Sequence, residues 1–303
     1  MRIFITGGSG LIGSALAENL LQDGHEVILL SRNPARTGLQ APKGAKLEAW
    51  DGKTANGWGK LVNQQSVIVN LAGSNLGAGR WTASRKKEIL ESRLFAGQAV
   101  VQAVEQAVEK PLAVLQSSAV GYYGSQADQL LTEGNPAGSD FASRVTVEWE
   151  KSTAAVEALG VRRAIFRTGV VISTRGGAFP KLLLPFRLFA GGPIGNGKQW
   201  FPWIHLADEV AGIRFLIDHT ETKGVYNLSA PNPVQNKTLS RAIGKALHRP
   251  ALLPVPPQAL QLLFGEMSTI LLASQRMVPQ RFVEAGMKFQ FPEIEPALKD
   301  LFR

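Results

Sequence analysis

Glycines at positions 7, 10 and 13 punctuate the run Thr6-Gly7-Gly8-Ser9-Gly10-Leu11-Ile12-Gly13. That spacing lets a backbone turn sharply, approach a pyrophosphate closely and pack a helix against the preceding strand. A helix opening there would offer free N–H groups and a positive dipole end to phosphate oxygens. The candidate contacts within the turn are Gly7, Ser9, Gly10, Leu11, Ile12 and Gly13. Glycine-rich runs also serve as ordinary turns, so the neighbours decide. Arg2-Ile3-Phe4-Ile5 precedes as an apolar strand, and Leu11, Ile12, Ala15, Leu16 and Leu20 follow with helical spacing. After Asp23-Gly24-His25 a second run, Val27-Ile28-Leu29-Leu30, completes a βαβ unit of about thirty residues.

The residues just past that second strand bear on which cofactor fits. An NAD site usually has an acid there to accept from the ribose 2′-hydroxyl, whereas this chain has Ser31-Arg32. A hydroxyl and a planar guanidinium suit a 2′-phosphate, which points to NADP(H). A solvated arginine at a strand end is the plainer alternative.

Strand and helix continue to alternate. Residues 46–50 read as a third strand and 67–70 as a fourth, followed by Leu71-Ala72-Gly73, small enough for a cofactor to lie over the strand end. A long helix is predicted over 82–109, a fifth strand over 112–116, a helix over 143–159 and a sixth strand over 163–167. The fold class is therefore α/β, a Rossmann-type doubly wound parallel sheet. Residues 1–170 would form the nucleotide-binding domain. Residues 171–204, broken by Gly176-Gly177, Pro180, Pro185 and Gly191-Gly192-Pro193, read as loops of a smaller substrate lobe. A strand at 225–228 and a helix at 237–247 return to the first domain within about 205–248. Residues 249–303 read as a helical terminal appendage with helices at 259–264 and 270–272.

Composition narrows the classes. The 303 residues are 45% apolar, enough for a large core, and contain no cysteine, which removes disulfides and thiolate metal sites. No metal site is expected. The 33 Lys and Arg against 24 Asp and Glu give +9, but the basic residues are scattered without interleaved aromatics, so no nucleic-acid partner is expected. No leader-like segment or spanning apolar run is evident, so a cytoplasmic protein without membrane attachment is the default expectation. Helices of such folds often form dimer faces, which leaves a homodimer open.

Several later motifs are more specific. Asn70-Leu71-Ala72-Gly73, Arg80-Trp81, Ser92-Arg93, residues 118–124, Trp149-Glu150, Leu184-Pro185-Phe186-Arg187, Gly191–Gly195 and Phe201–His205 together resemble the atypical extended short-chain dehydrogenase/reductases called the epimerase family, of the YfcH type. The stretch containing Pro279-Gln280-Arg281 resembles that group's terminal domain. The resemblance implies an NADP(H) site in which Ser31 and Arg32 take the 2′-phosphate and Leu71 and Ala72 offer backbone contacts. It also implies that Glu88, Arg93 and Val171 lie beside the cofactor. Asp51, at the end of the third strand, resembles the adenine contact of extended relatives, and reads equally well as a cap or turn residue.

Relatives with activity use a tyrosine and a lysine four residues later, the lysine lowering the phenol pKa for proton exchange. The three tyrosines here are followed at that distance by Gln126, Ala127 and Ala230, and the expected slots hold Ala142 and Thr146. Ser118 and Tyr122, at the C-terminal end of the fifth strand, are the remaining catalytic candidates, with Ala119 competing with Ser118 for the serine slot. His205 reads as structural, Asp208 as a helix N-cap, and Lys181 and Arg187 as holders of an anionic substrate or surface cations. Two functions follow: an NADP-dependent oxidoreductase or epimerase acting on a small hydroxyl-bearing substrate, a nucleotide sugar in many relatives, or an NADP-binding sensor without turnover.

Overall fold

The computed structural model describes residues 1–38 and 41–303. Seven strands form one sheet: β1 Arg2–Thr6, β2 Glu26–Ser31, β3 Lys46–Ala49, β4 Ser66–Asn70, β5 Ala113–Ala119, β6 Arg162–Thr168 and β7 Gly224–Leu228. Their order is β7-β6-β5-β4-β1-β2-β3, and every pairing is parallel. Parallel strands need helices on both faces, and the alternation of side chains shows how these are covered. Ile3, Ile5, Val27, Leu29, Val67 and Val69 face one way, against helices Leu11–Gln22 and Leu206–Asp218. Phe4, Ile28, Leu30, Ile68 and Val114 face the other way, against Ala96, Val100 and Val104 of helix Ala83–Gln106. Each fully buried leucine or valine of this kind contributes about 1.5–3 kcal/mol, so the two-sided core dominates the fold's stability. Strand order reverses between β1 and β4, which opens a crevice beyond their C-terminal ends.

Several elements differ from the sequence expectation. The long helix begins at Ala83, where Thr82 caps it by accepting from Arg85 N at 3.2 Å. It stops at Gln106, its last carbonyls taken by the Lys110 ammonium at 2.9–3.2 Å. The helix predicted over 143–159 is two: Phe141–Lys151, capped by Asp140, and Ala155–Ala158. The break falls where the Ser152 hydroxyl turns back to Trp149 O at 2.7 Å.

The stretch read as loops contains a helix, Phe179–Arg187, with Pro180 in its first turn where a missing N–H costs nothing. Phe179, Leu183 and Phe186 form its buried stripe. They share one core with Trp203, with Leu239 and Ile243 of helix Asn236–Leu247, and with Phe291, Ile294 and Leu298 near the C-terminus. Short strands complete this lobe: Val170–Ile172 beside Trp203–His205, and Trp200–Phe201 beside Val234–Gln235. The terminal region also carries helices Pro257–Phe264, Gln280–Glu284 and Ile294–Leu301.

Candidate functional site

The glycine turn spans the crevice between β1 and β4. Gly7 adopts φ +67°, and a Cβ there would stand 3.0 Å from Leu71 O. A Cβ on Gly13 would fall 2.7 Å from both Gly7 O and Gly8 Cα. Gly10, at the N-cap of helix Leu11–Gln22, brings no side chain to the first amides, and that helix has no acid in its first turn. The amides are thus left facing the crevice for an anion.

Beneath the turn, a buried polar chain links three strands. Thr6 Oγ1 donates to Asn70 Oδ1 at 2.6 Å and accepts from Leu71 N and Ala72 N at 3.0 and 3.1 Å. Asn70 Nδ2 in turn donates to Gln116 Oε1 at 2.9 Å. Because Thr6, Asn70 and Gln116 are fully buried, these bonds fix the path of Leu71-Ala72-Gly73.

At the far end of the crevice, Ser31 is buried at the end of β2 and accepts from Asn33 N at 3.1 Å. Arg32 is exposed, its stem over Gly52, where a Cβ would lie 3.3 Å from Arg32 Cδ. Asp51 forms a turn, accepting from Lys53 N, Thr54 N and Thr54 Oγ1 at 2.7–2.8 Å. Burial works against its charge, but the backbone and hydroxyl bonds from Thr54 and Lys53 outweigh it and hold the carboxyl below its ordinary value.

Glu88 and Arg93 share helix Ala83–Gln106. Glu88 is at the surface, where hydrogen bonds from Ser74 and Arg85 lower its pKa, with Arg32 adding attraction. Sequence alone makes Arg93 a solvated helix residue; instead it is 7% exposed. Its Nη1 donates to Ser74 O and Ile89 O at 3.1 and 3.0 Å, and its guanidinium lies 4.8 Å from the Trp149 ring centroid. Burial lowers its pKa to about 10, and among the described residues no carboxylate pairs with it. Gly73 makes room for it, since a Cβ there would touch Arg93 Cζ at 2.9 Å. Gly7, Leu71, Ala72, Gly73 and Arg93 therefore line one crevice. Val171 lies in the short strand that follows β6, paired with Ile204.

Ser118 and Tyr122 come together through Glu150, visible in the sequence only as part of a motif, and Arg167, to which sequence reasoning assigned no role. Ser118, 2% exposed, donates to Glu150 Oε1 at 2.6 Å. Glu150 is chelated by Arg167, which also donates to Tyr123 Oη at 3.0 Å and lies 3.3 Å from the Tyr122 ring centroid. Tyr123 Oη donates to Asn227 Oδ1 at 2.6 Å. The turn Val120–Tyr123 thus has Tyr123 locked inward and Tyr122 half-buried, its hydroxyl without a partner among the described residues. An arginine inside the apolar run Ala164-Ile165-Phe166-Arg167 was the available signal for a buried acid partner.

The chain matches the family model "NAD dependent epimerase/dehydratase family" over residues 3–229, and residues 255–301 match "Domain of unknown function (DUF1731)". It is 37% identical to the epimerase family protein YfhF of Bacillus subtilis over 99% of this chain and 98% of that one. It is 38% identical to epimerase family protein SDR39U1 of Bos taurus over 99% of each. The crystal structure of human SDR39U1 (isoform 2) with NADPH superposes with a TM-score of 0.89 at 35% identity, covering 99% of both chains. This chain belongs to the NAD dependent epimerase/dehydratase family.

As an epimerase-family member it departs from the tyrosine and lysine arrangement in a defined way. Ala142 packs where a Cβ on Gly121 would reach it at 3.3 Å, and Thr146 turns its hydroxyl to Ala142 O and Ser143 O. His205, not Asp208, caps helix Leu206–Asp218, its Nδ1 accepting from Ala207 N at 3.2 Å. Burial lowers its pKa, opposed by Asp300 at 3.6 Å. Asp208 instead accepts from Gln290 N and Phe291 N at 2.7 and 2.9 Å, fastening the terminal region. Lys181 donates to Gly77 O at 3.1 Å, joining helix Phe179–Arg187 to the segment that follows β4. Among the described residues there is no cluster that could hold a metal, and no helix is long and apolar enough to cross a membrane.

Proposed function

We propose that this epimerase-family member, of the YfcH type, is an NADP(H)-dependent oxidoreductase or epimerase acting on a small hydroxyl- or carbonyl-bearing substrate, with a nucleotide sugar among the candidates. The single observation that carries the reading is the crevice itself. Its glycines leave space that a Cβ would fill, and it holds a buried Arg93 cation without a carboxylate. An anionic dinucleotide fits both features. Gly7, Ser9, Gly10, Leu11, Ile12 and Gly13 would hold the pyrophosphate, and Ser31 with Arg32 the 2′-phosphate. Asp51, Leu71, Ala72, Gly73, Glu88, Arg93 and Val171 would line the remainder. The NADPH in the human SDR39U1 structure supports the choice of cofactor.

The bound cofactor would supply or accept hydride. Tyr122, with an uncommitted hydroxyl, would donate a proton to a substrate oxygen. Ser118, whose own hydrogen is committed to Glu150, would offer a lone pair to a substrate hydroxyl.

A second reading, an NADP-binding sensor without turnover, is favoured by Ala142 and Thr146 in the tyrosine and lysine slots. The two separate in one set of assays: the protein is mixed with NADPH deuterated at C4 and simple ketones, and with NADP+ and sugar nucleotides whose ring configuration is followed by NMR. Label moved to an alcohol carbon, NADPH formed from NADP+, or an inverted sugar carbon supports the enzyme. NADPH binding with none of these across the panel supports the sensor.

A further inference from the structure

The terminal region matched to a domain of unknown function reaches into the site through one dipeptide, Ser274-Gln275. Gln275 is 7% exposed, and its side-chain Nε2 donates to Val120 O at 3.0 Å and to Gly124 O at 2.9 Å. Those carbonyls stand at the two ends of the turn that carries Tyr122 and Tyr123. A carboxamide has two N–H hydrogens, and here one side chain spends both on closing that turn. Ser274 secures the residues that follow: its N–H donates to Ser125 Oγ at 3.1 Å, its carbonyl accepts from Gln126 N at 2.9 Å, and its hydroxyl meets Ala127 O.

The same dipeptide is bonded to the substrate lobe. Trp200 N donates to Ser274 Oγ, and Gln275 N donates to Trp200 O, both at 3.1 Å. Directly after it, strand Arg276–Met277 pairs with Leu130–Leu131, and Val278 O accepts from Asn227 Nδ2, whose Oδ1 accepts from Tyr123 Oη. The terminal region thus holds the tyrosine turn from outside the Rossmann sheet and joins it to strand Trp200–Phe201.

We propose that Gln275 is a positioning residue that sets the turn bearing Tyr122 and Tyr123, so that the terminal domain completes the site. The inference rests on the reading of that turn as the proton-transferring one, but its test does not depend on turnover. The chain has three tyrosines, at 122, 123 and 226, so 3-fluorotyrosine incorporation into the full-length protein gives three fluorine NMR resonances, assigned with Tyr122→Phe and Tyr226→Phe. Gln275→Met keeps the length and removes both donors. The expected result is that the Tyr122 and Tyr123 resonances shift or broaden while Tyr226 stays in place. NADPH affinity should stay within about twofold, because the glycine turn and Arg32 lie outside these contacts. Three unchanged resonances would overturn the proposal. If the Met variant does not accumulate as folded protein, Gln275→Glu replaces it: ionising that side chain removes its donors. The Tyr122 and Tyr123 resonances should then move with pH in the variant but not in the wild-type protein. Resonances that stay fixed across that titration would equally overturn it. Failure of NADPH binding in the wild-type protein would count against the proposed function and leave this result readable.

Discussion

Glu150 and Arg167 meet through both carboxylate oxygens, Oε1 2.8 Å from Nε and Oε2 3.0 Å from Nη2, with 10% and 4% of their side chains exposed. The pair joins the helix Phe141–Lys151 to β6 and presents Ser118 on one side and Tyr122 on the other. Removing one member leaves the other as an uncompensated buried charge. Glu150→Ala should therefore cost about 3–5 kcal/mol, read as a lowered urea midpoint, and also release the Ser118 hydroxyl. Glu150→Gln, which keeps shape and one acceptor, should cost less. Equal midpoints for Glu150→Ala and the wild-type protein would show that the pair is not tightly held.

The carboxyl of Glu209 is fully buried beside β6, with Thr168 Oγ1 donating to its Oε1 at 2.8 Å and no partner for Oε2 among the described residues. Burial pushes its pKa up to about 8 from an ordinary 4.5. Between those values the native state holds a proton that the unfolded state has released, so stability falls as pH rises through that window. The slope from this one group reaches at most about 1.4 kcal/mol per pH unit. Glu209→Gln keeps the bond from Thr168 and should flatten the profile, so its stability relative to wild type should grow from pH 4.5 to 8. Denaturation curves across that range check it, and parallel profiles for the two proteins would contradict it.

Gly13 has no room for a methyl group, since its Cβ would stand 2.7 Å from the backbone of Gly7 and Gly8. Gly13→Ala should displace the turn at a cost of about 1–3 kcal/mol and weaken NADPH binding along with it. Thermal unfolding and a cofactor titration on the same sample measure both. Unaltered binding would mean that the turn does not contact the cofactor.

Asp208 accepts from two amides of the terminal region, at Gln290 and Phe291. Asp208→Ala leaves the buried Phe291 amide without an acceptor, a penalty of about 1–3 kcal/mol, and takes its partner from the part-buried Gln290 amide. Because they lie outside the sheet, hydrogen exchange should quicken at residues 290–301 while β1 and β4 stay protected. Uniform acceleration through the sheet would place Asp208 in the global core instead.

What could be read from the sequence was local. The turn Thr6–Gly13 is legible because strand, glycines and helix are consecutive, and the sheet because each buried strand is a short apolar run between helical patterns. Helix Phe179–Arg187 was hidden because its two prolines imitate loop punctuation, although Phe179, Leu183 and Phe186 keep a helical spacing. Long-range pairings were not legible: Ser118 with Glu150, Asp208 with Phe291, and Gln275 with Val120 are brought together only by the fold. Trp149-Glu150 was visible as a motif, but nothing in its spacing indicates an arginine seventeen residues later.

In the proposed function the crevice takes NADP(H) through Ser31 and Arg32. Titrating the protein with NADPH and NADH, while following nicotinamide fluorescence, tests it most directly, alongside Arg32→Asp. NADPH should bind more tightly than NADH by about tenfold or more, the weight of a charge-assisted hydrogen bond of ~1.5–3 kcal/mol, with the preference lost in the variant. Equal affinity for the two cofactors, or a preference that survives Arg32→Asp, would contradict it.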